Sequence, residues 1–161
     1  MPTRTYLEQT LPEDLRPAPA PGEDVSVVRV EECDPSYWRR LYTEVGAAYQ
    51  WVDRLPWTDD EITQYLSDPA VSLWVLLVGG EVAGYFELRK YPENTVEIAY
   101  FGLLPAYLGR GLGKYLLSEA AARAWQLKPS RIWLHTSTLD HEAALPNYLA
   151  RGFSIVRVEQ Y

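Results

Sequence analysis

Apolar positions along the chain follow two periods, two and about four, that alternate from segment to segment. The β-branched run VSVVRVEE opens at Val25 after Gly22 and stops before Asp34-Pro35, which predicts a first strand. Tyr37, Leu41 and Val45 then recur four residues apart, the spacing of one helix face. Thr58 followed three residues later by Glu61 makes a capping box, so a second helix is predicted over residues 59–67. The middle of the chain reads as a three-stranded antiparallel meander: SLWVLLV, a turn at Gly79-Gly80, EVAGYFELRK, a turn over residues 92–94, and TVEIAYFGLL. Helical spacing returns in the stripe Leu112, Leu116, Ala120 and Ala124, which ends before Pro129. RIWLHTST predicts a further strand, a shorter helix closes at Gly152, and a last strand covers residues 153–158.

Interleaved strands and helices predict an α/β fold with a mostly antiparallel central sheet flanked by about four helices. Residues 1–23 precede it as a Pro-rich N-terminal extension, where Pro2, Pro12, Pro17, Pro19 and Pro21 forbid regular structure over much of the length. Tyr6, Leu7 and Leu11 are the side chains by which it would dock on the single domain at 24–161. Pro146 falls inside the last predicted helix, where it removes an N–H and clashes with an earlier carbonyl. That helix is expected to start late or to kink.

Composition then removes function classes. At 161 residues and 47% hydrophobic content the chain holds enough apolar surface for one core. Its net charge of -7 argues against a nucleic-acid backbone as partner and suits a cationic substrate. The single Cys33, read as a buried thiol, excludes an intrachain disulfide, and with His135 and His141 it is a poor inventory for a metal site. No stretch approaches the roughly 20 apolar residues of a membrane span, and no secretory leader is visible. A cytoplasmic protein with no membrane partner is the expectation.

Leu108-Gly109-Arg110-Gly111-Leu112-Gly113-Lys114 lies between a predicted strand and a predicted helix. Backbone N–H groups and the helix dipole favour an anion there, and glycines let a phosphate approach the backbone. The loop is neither a Walker A motif nor a full GxGxxG fingerprint, and alone it is more readily a plain turn. Residues 97–104, then Pro105, the three glycines and an apolar helix closely resemble the acetyl-CoA motif of the GNAT acyltransferase superfamily. Ala144, Tyr148, Gly152 and Phe153 are similar to that superfamily's second motif. The resemblance covers about residues 25–158. Leu108 stands where the superfamily often has Gln or Arg, and His141 where it usually has Asn.

The resemblance implies a sheet splayed between the fourth and fifth predicted strands, with acetyl-CoA as cosubstrate in the opening. It implies pantetheine contacts near Phe101, Leu103 and Leu104, and a pyrophosphate resting on Gly109, Arg110, Gly111, Leu112, Gly113 and Lys114. Arg110 and Lys114 would be its charge partners, and His141 and Asn147 further cofactor contacts. Glu97, eleven positions before Leu108, is the first candidate to take a proton from an ammonium, with Glu87 on the neighbouring strand as a rival. Alternation puts Glu97 on one face with Ala99, Phe101 and Leu103. Tyr148 would lie near the CoA sulfur as a proton donor. His141 is read first as a cap of the local backbone and second as a group that takes part in proton transfer. Trp51, Asp53, Arg54 and Trp57 occupy the segment that shapes an acceptor pocket in the superfamily, where aromatic faces and a carboxylate suit an ammonium, or they belong to the core. The implied reaction is acetyl transfer to an amine of a small molecule or peptide; the alternative is a non-catalytic acyl-CoA-binding module. Whether the chain forms a homodimer stays open.

Overall fold

The meander folds as its turns dictate. In the computed structural model, which describes residues 2–22 and 24–161, β3 (Val71–Val78), β4 (Glu81–Tyr91) and β5 (Thr95–Leu103) are consecutive antiparallel neighbours. β2 (Val25–Val30) pairs antiparallel with β3 and forms one edge of the sheet. On the other side β6 (Arg131–Ser137) lies parallel to β5, the single parallel pairing among the described strands. A parallel neighbour requires a long crossover, and α3 (Leu112–Gln126) supplies it.

The helices cover both faces. α1 (Pro35–Gly46) starts where the Asp34 side chain accepts a hydrogen bond from the Ser36 N–H at 2.9 Å. α2 (Asp59–Ser67) starts on the predicted capping box, Thr58 with Glu61. Trp38, Leu41 and Val45 of α1 and Ile62 of α2 pack with Leu73, Val75 and Tyr85 on one face. The Leu112, Leu116, Ala120 and Ala124 stripe of α3 packs with Phe86, Leu88, Val96 and Ile132 on the opposite face. α4 (Ala144–Ala150) is short and begins late, which puts Pro146 in its first turn, where a missing N–H leaves no intrahelical bond unmade.

Two sequence expectations about strands are overturned. Residues 1–23 do not lack regular structure over their first third: Thr3–Gln9 form β1, which lies between β6 and β7 (Ser154–Gln160), antiparallel to both. The segment is free of proline, and Thr5, Leu7 and Gln9 alternate inward against Arg4, Tyr6 and Glu8. Gln9 is buried but satisfied, accepting from Trp125 Nε1 and donating to the Arg151 carbonyl, both at 2.9 Å. Of the three expected docking side chains, Leu7 is fully buried and Leu11 stays exposed. Met1 and Glu23 of the extension lie outside the described residues.

The second correction concerns β5. Its register against β4 shifts at Ala99, an extra residue opposite the Glu87/Leu88 step, and such a bulge reverses the alternation beyond it. Val96 and Ile98 before the bulge, and Phe101 and Leu103 after it, all pack toward α3. Glu97 therefore points to the α1/α2 face, with Tyr100 and not with Phe101 and Leu103. Cys33 is half-buried rather than buried. Among the described residues no helix is long and apolar enough to cross a membrane, and no three His, Cys, Asp or Glu side chains cluster as metal ligands.

Candidate active site

The ladder between β5 and β6 holds only three pairs, Thr95 with Arg131, Val96 with Ile132 and Glu97 with Trp133. Past Glu97 the two strands separate, and the β6-facing edge of β5 has no strand partner. A cleft of about 910 Å³ opens there, lined among others by Phe101 and Leu103 of β5, Leu134 of β6 and Tyr148 of α4. Its volume falls in the range of small-molecule and cofactor sites.

One end is the glycine loop. Gly109 and Gly111 have φ of +77° and +76°, a left-handed conformation that side chains disfavour. Gly111 is the N-cap residue of α3, so the free N–H groups of the first turn carry the positive end of the helix dipole. Gly109, Gly111, Gly113 and Lys114 line the cleft. Leu112 is fully buried in the α3 core, and the Arg110 guanidinium lies over the Tyr107 ring at 5.2 Å. Leu104 packs on the α1/α2 side and its amide already donates to the Ala83 carbonyl at 2.8 Å, so a pantetheine contact through that amide is closed. Asn147 of α4 lines the cleft and donates to the Gly113 carbonyl at 3.3 Å, tying α4 to the loop. His141 also borders the cleft; its Nδ1 accepts from the Ala143 N–H at 3.0 Å and so caps the turn before α4.

Tyr148 lies between the rings of Phe101 and Phe153, at centroid distances of 6.3 and 6.2 Å. Burial first, and the Asp140 charge after it, hold its pKa well above the ordinary phenol value, so it stays a donor. No other described residue hydrogen-bonds its hydroxyl. Glu97 sits where the two strands part and lines the same cleft. Its Oε1 accepts from the Tyr91 hydroxyl at 2.7 Å, and His135 Nε2 lies 4.0 Å from its Oε2. Burial raises the Glu97 pKa and the Glu87 charge adds to the rise, which outweighs the opposing Tyr91 hydrogen bond and the Arg89 charge. Partial burial and then the Arg4 charge lower the His135 pKa, so that ring is neutral at pH 7.

The rival carboxylate is already engaged. Glu87 is fully buried, and Arg54 Nη1 donates to both its oxygens at 3.0 and 2.8 Å. The Tyr65 hydroxyl adds a third bond at 3.0 Å. Glu87 is not part of the cleft lining, so it is not placed to accept a substrate proton. Burial works against the Arg54 charge, but Glu87, Tyr65 and Tyr100 together outweigh it and hold the pKa above the ordinary value. The same guanidinium lies 4.9 Å from the centroid of Trp57 and 4.2 Å from that of Tyr100. These aromatic faces hold a cation of the chain itself rather than standing open to a substrate.

Over residues 34–153 the chain matches the family described as "Acetyltransferase (GNAT) family". It belongs to that family. It is 29% identical over 92 residues to an uncharacterized N-acetyltransferase of Mycobacterium tuberculosis, covering 57% of this chain and 58% of the relative. With the N-alpha-acetyltransferase RimI of the same organism it shares 32% identity over 104 residues, 63% of each chain. It thus spans less than two thirds of the length of these curated relatives. A GCN5-related N-acetyltransferase of Kribbella flavida shares the fold with a TM-score of 0.68 at 17% identity, over 95% of this chain and 54% of that one.

In GNAT terms the predicted fourth and fifth strands are β5 and β6, and the expected splay lies between them. The structure brings Glu97, Tyr148, Phe101, Leu103, the loop glycines, Lys114, Asn147 and His141 to one cleft. Leu104, Arg110 and Leu112 lie outside its lining. Tyr91 and His135 went unremarked in the sequence as site residues. The turn over residues 92–94 puts Tyr91 opposite Thr95, two residues from Glu97, so hairpin register was a usable signal. No turn fixes the parallel register that brings His135 near, so it left no local trace.

Proposed function

We propose that the protein is an acetyl-CoA-dependent N-acetyltransferase acting on a primary amine. The observation that carries this reading is the shared cleft: a buried carboxylate of raised pKa and a protonated phenol flank the opening that a phosphate-type loop closes at one end. Acetyl-CoA supplies the acetyl group as an activated thioester. The first-turn N–H groups of α3 and Lys114 hold the pyrophosphate, and the unpaired edge of β5 holds the pantetheine arm. Glu97 takes a proton from the incoming ammonium, which frees the nitrogen lone pair for attack on the carbonyl carbon. Neutral His135, 4.0 Å away, can pass that proton toward solvent. A C–N bond forms, the C–S bond breaks, the Tyr148 hydroxyl protonates the departing thiolate, and the second nitrogen proton, lost as the amide forms, restores the phenol through solvent. A module that only binds acyl-CoA has no use for a carboxylate and a phenol lining the same cleft.

The test is thiol release from acetyl-CoA across a panel of amines. Wild type is expected to turn over at least one of them, and Glu97→Gln, which keeps the shape and removes the base, to lower that rate by about 10² to 10⁴. Binding of acetyl-CoA with no thiol release above the amine-free rate for any amine assigns the chain to the binding-module reading.

A further inference from the structure

The acceptor end of the cleft carries an arrangement that amine acetylation alone does not require. Arg89 on β4 stands directly opposite Glu97 on β5, and both side chains line the cleft. Directly opposed residues have Cβ atoms about 4.5–5.5 Å apart, and an Arg–Glu couple at that spacing ordinarily closes into an ion pair. Here it does not. The Tyr91 hydroxyl holds Glu97 Oε1 at 2.7 Å, while the Arg89 guanidinium lies against aromatic rings, 5.1 Å from the Tyr91 centroid and 5.8 Å from that of Tyr65. Among the described residues no carboxylate lies within ion-pair distance of Arg89. The other arginines of the cleft are engaged, Arg54 by Glu87 at 2.8 Å and Arg4 by Glu159 at 3.8 Å, and Lys114 belongs to the loop end. An acidic and a basic group thus face the same end of the cleft, side by side and held apart.

We infer that the acceptor is a zwitterion, a free amino acid, with its amine at Glu97 and its carboxylate received by Arg89. A guanidinium presents two parallel N–H donors that match a carboxylate, and contact with the Tyr91 and Tyr65 rings leaves that charge without a carboxylate partner among the described residues. A held carboxylate would fix the amine one carbon away beside its base, so binding energy from the non-reacting group orients the reacting one. A peptide N-terminus has an amide in place of that carboxylate and would leave Arg89 unpaired. The inference rests on the transfer reading for the role of Glu97, but it concerns binding and is separable from turnover.

The experiment compares standard amino acids with their matched descarboxy amines. Thiol release is measured with acetyl-CoA, and calorimetric titration with the CoA-loaded protein. Wild type is expected to favour at least one amino acid over its descarboxy amine by about tenfold or more in kcat/KM. Arg89→Gln is expected to bring the two within about twofold, through a raised KM for the amino acid, and Arg89→Lys to restore part of the preference. Equal use of both series, or a preference that survives Arg89→Gln, overturns the inference and leaves acetyl transfer standing. Arg89-dependent binding of an amino acid without turnover supports the inference and removes the transfer reading. Absence of both binding and turnover for every amino acid overturns the inference.

Discussion

At the scale of single residues, the site rests on charges held away from their ordinary ionisation. The folded Glu97 carboxyl is a weaker acid than in water, chiefly because it is buried. The folded state therefore keeps its proton over a window that starts near the ordinary value of about 4.3 and extends upward, and stability falls as pH rises through that window. Below it the cost is absent; above it the cost is complete. Glu97→Gln is accordingly expected to melt at a higher temperature than wild type at pH 7 to 8, with the gap closing as the pH falls toward 4. A lower melting temperature at pH 8 would show that the carboxylate stabilises the fold and would contradict the burial argument. Wild-type activity should rise with pH through the same window, as the base loses its proton. Tyr148→Phe deletes only the donor and keeps the ring between Phe101 and Phe153. Turnover should drop while acetyl-CoA affinity and melting temperature stay near wild type, since the lost bond forms mainly in the transition state. An unchanged rate removes the phenol from the chemistry.

At the scale of elements, β1 binds the C-terminal half of the sheet together. It alone joins β6 to β7, and its Leu7 is fully buried in the α3-side core. Leu7→Ala should cost about 2–5 kcal/mol, read as a lower denaturation midpoint, if β1 is integral to the fold. A loss under about 0.5 kcal/mol would mean that the strand is an ornament. The segment after β1 packs as closely: Gly152 has φ of +98°, and a Cβ there would fall on the Asp14 carbonyl oxygen. β1 was hidden in the sequence because two of its three inward residues, Thr5 and Gln9, are polar, so period two showed only one apolar residue, Leu7, among neighbouring prolines. The meander and α2 were legible because Gly79-Gly80 and the Thr58–Glu61 box are local signals with local causes. Glu97 was singled out through the family resemblance and lines the cleft, yet its face was misread, since the bulge at Ala99 depends on pairing with β4 and leaves no mark in β5 itself. Arg54 stayed open between acceptor pocket and core in the sequence, because its partner Glu87 is 33 residues away and only the packed sheet joins them.

At the scale of the whole molecule, two half-sheets meet through three residue pairs and part beyond them, so the cleft is built into the topology rather than cut into a surface. A ligand that spans both halves and the loop should stabilise the fold by mass action, by about 2.7 kcal/mol at one hundred times its dissociation constant. For a chain of this size that corresponds to a melting shift of about 5–10 °C. The net charge of -7 makes a general attraction for anionic CoA an unfitting explanation of such a shift, which leaves the local N–H groups of the loop and Lys114 to supply it. Gly111 separates these causes. A side chain there begins in open space, its Cβ 3.5 Å from Lys114 Cε, but it carries the strain of a left-handed φ, about 1–2 kcal/mol, and projects into the phosphate path. Gly111→Leu should therefore melt a few degrees lower than wild type without ligand and still fold cooperatively. If CoA affinity weakens tenfold, the same ligand concentration is only ten times the new dissociation constant, and the stabilisation falls to about 1.4 kcal/mol. The measured shift should then be about half the wild-type shift or less. An equal shift in the two proteins, each read against its own ligand-free baseline, would place CoA away from the loop and remove the pyrophosphate cradle.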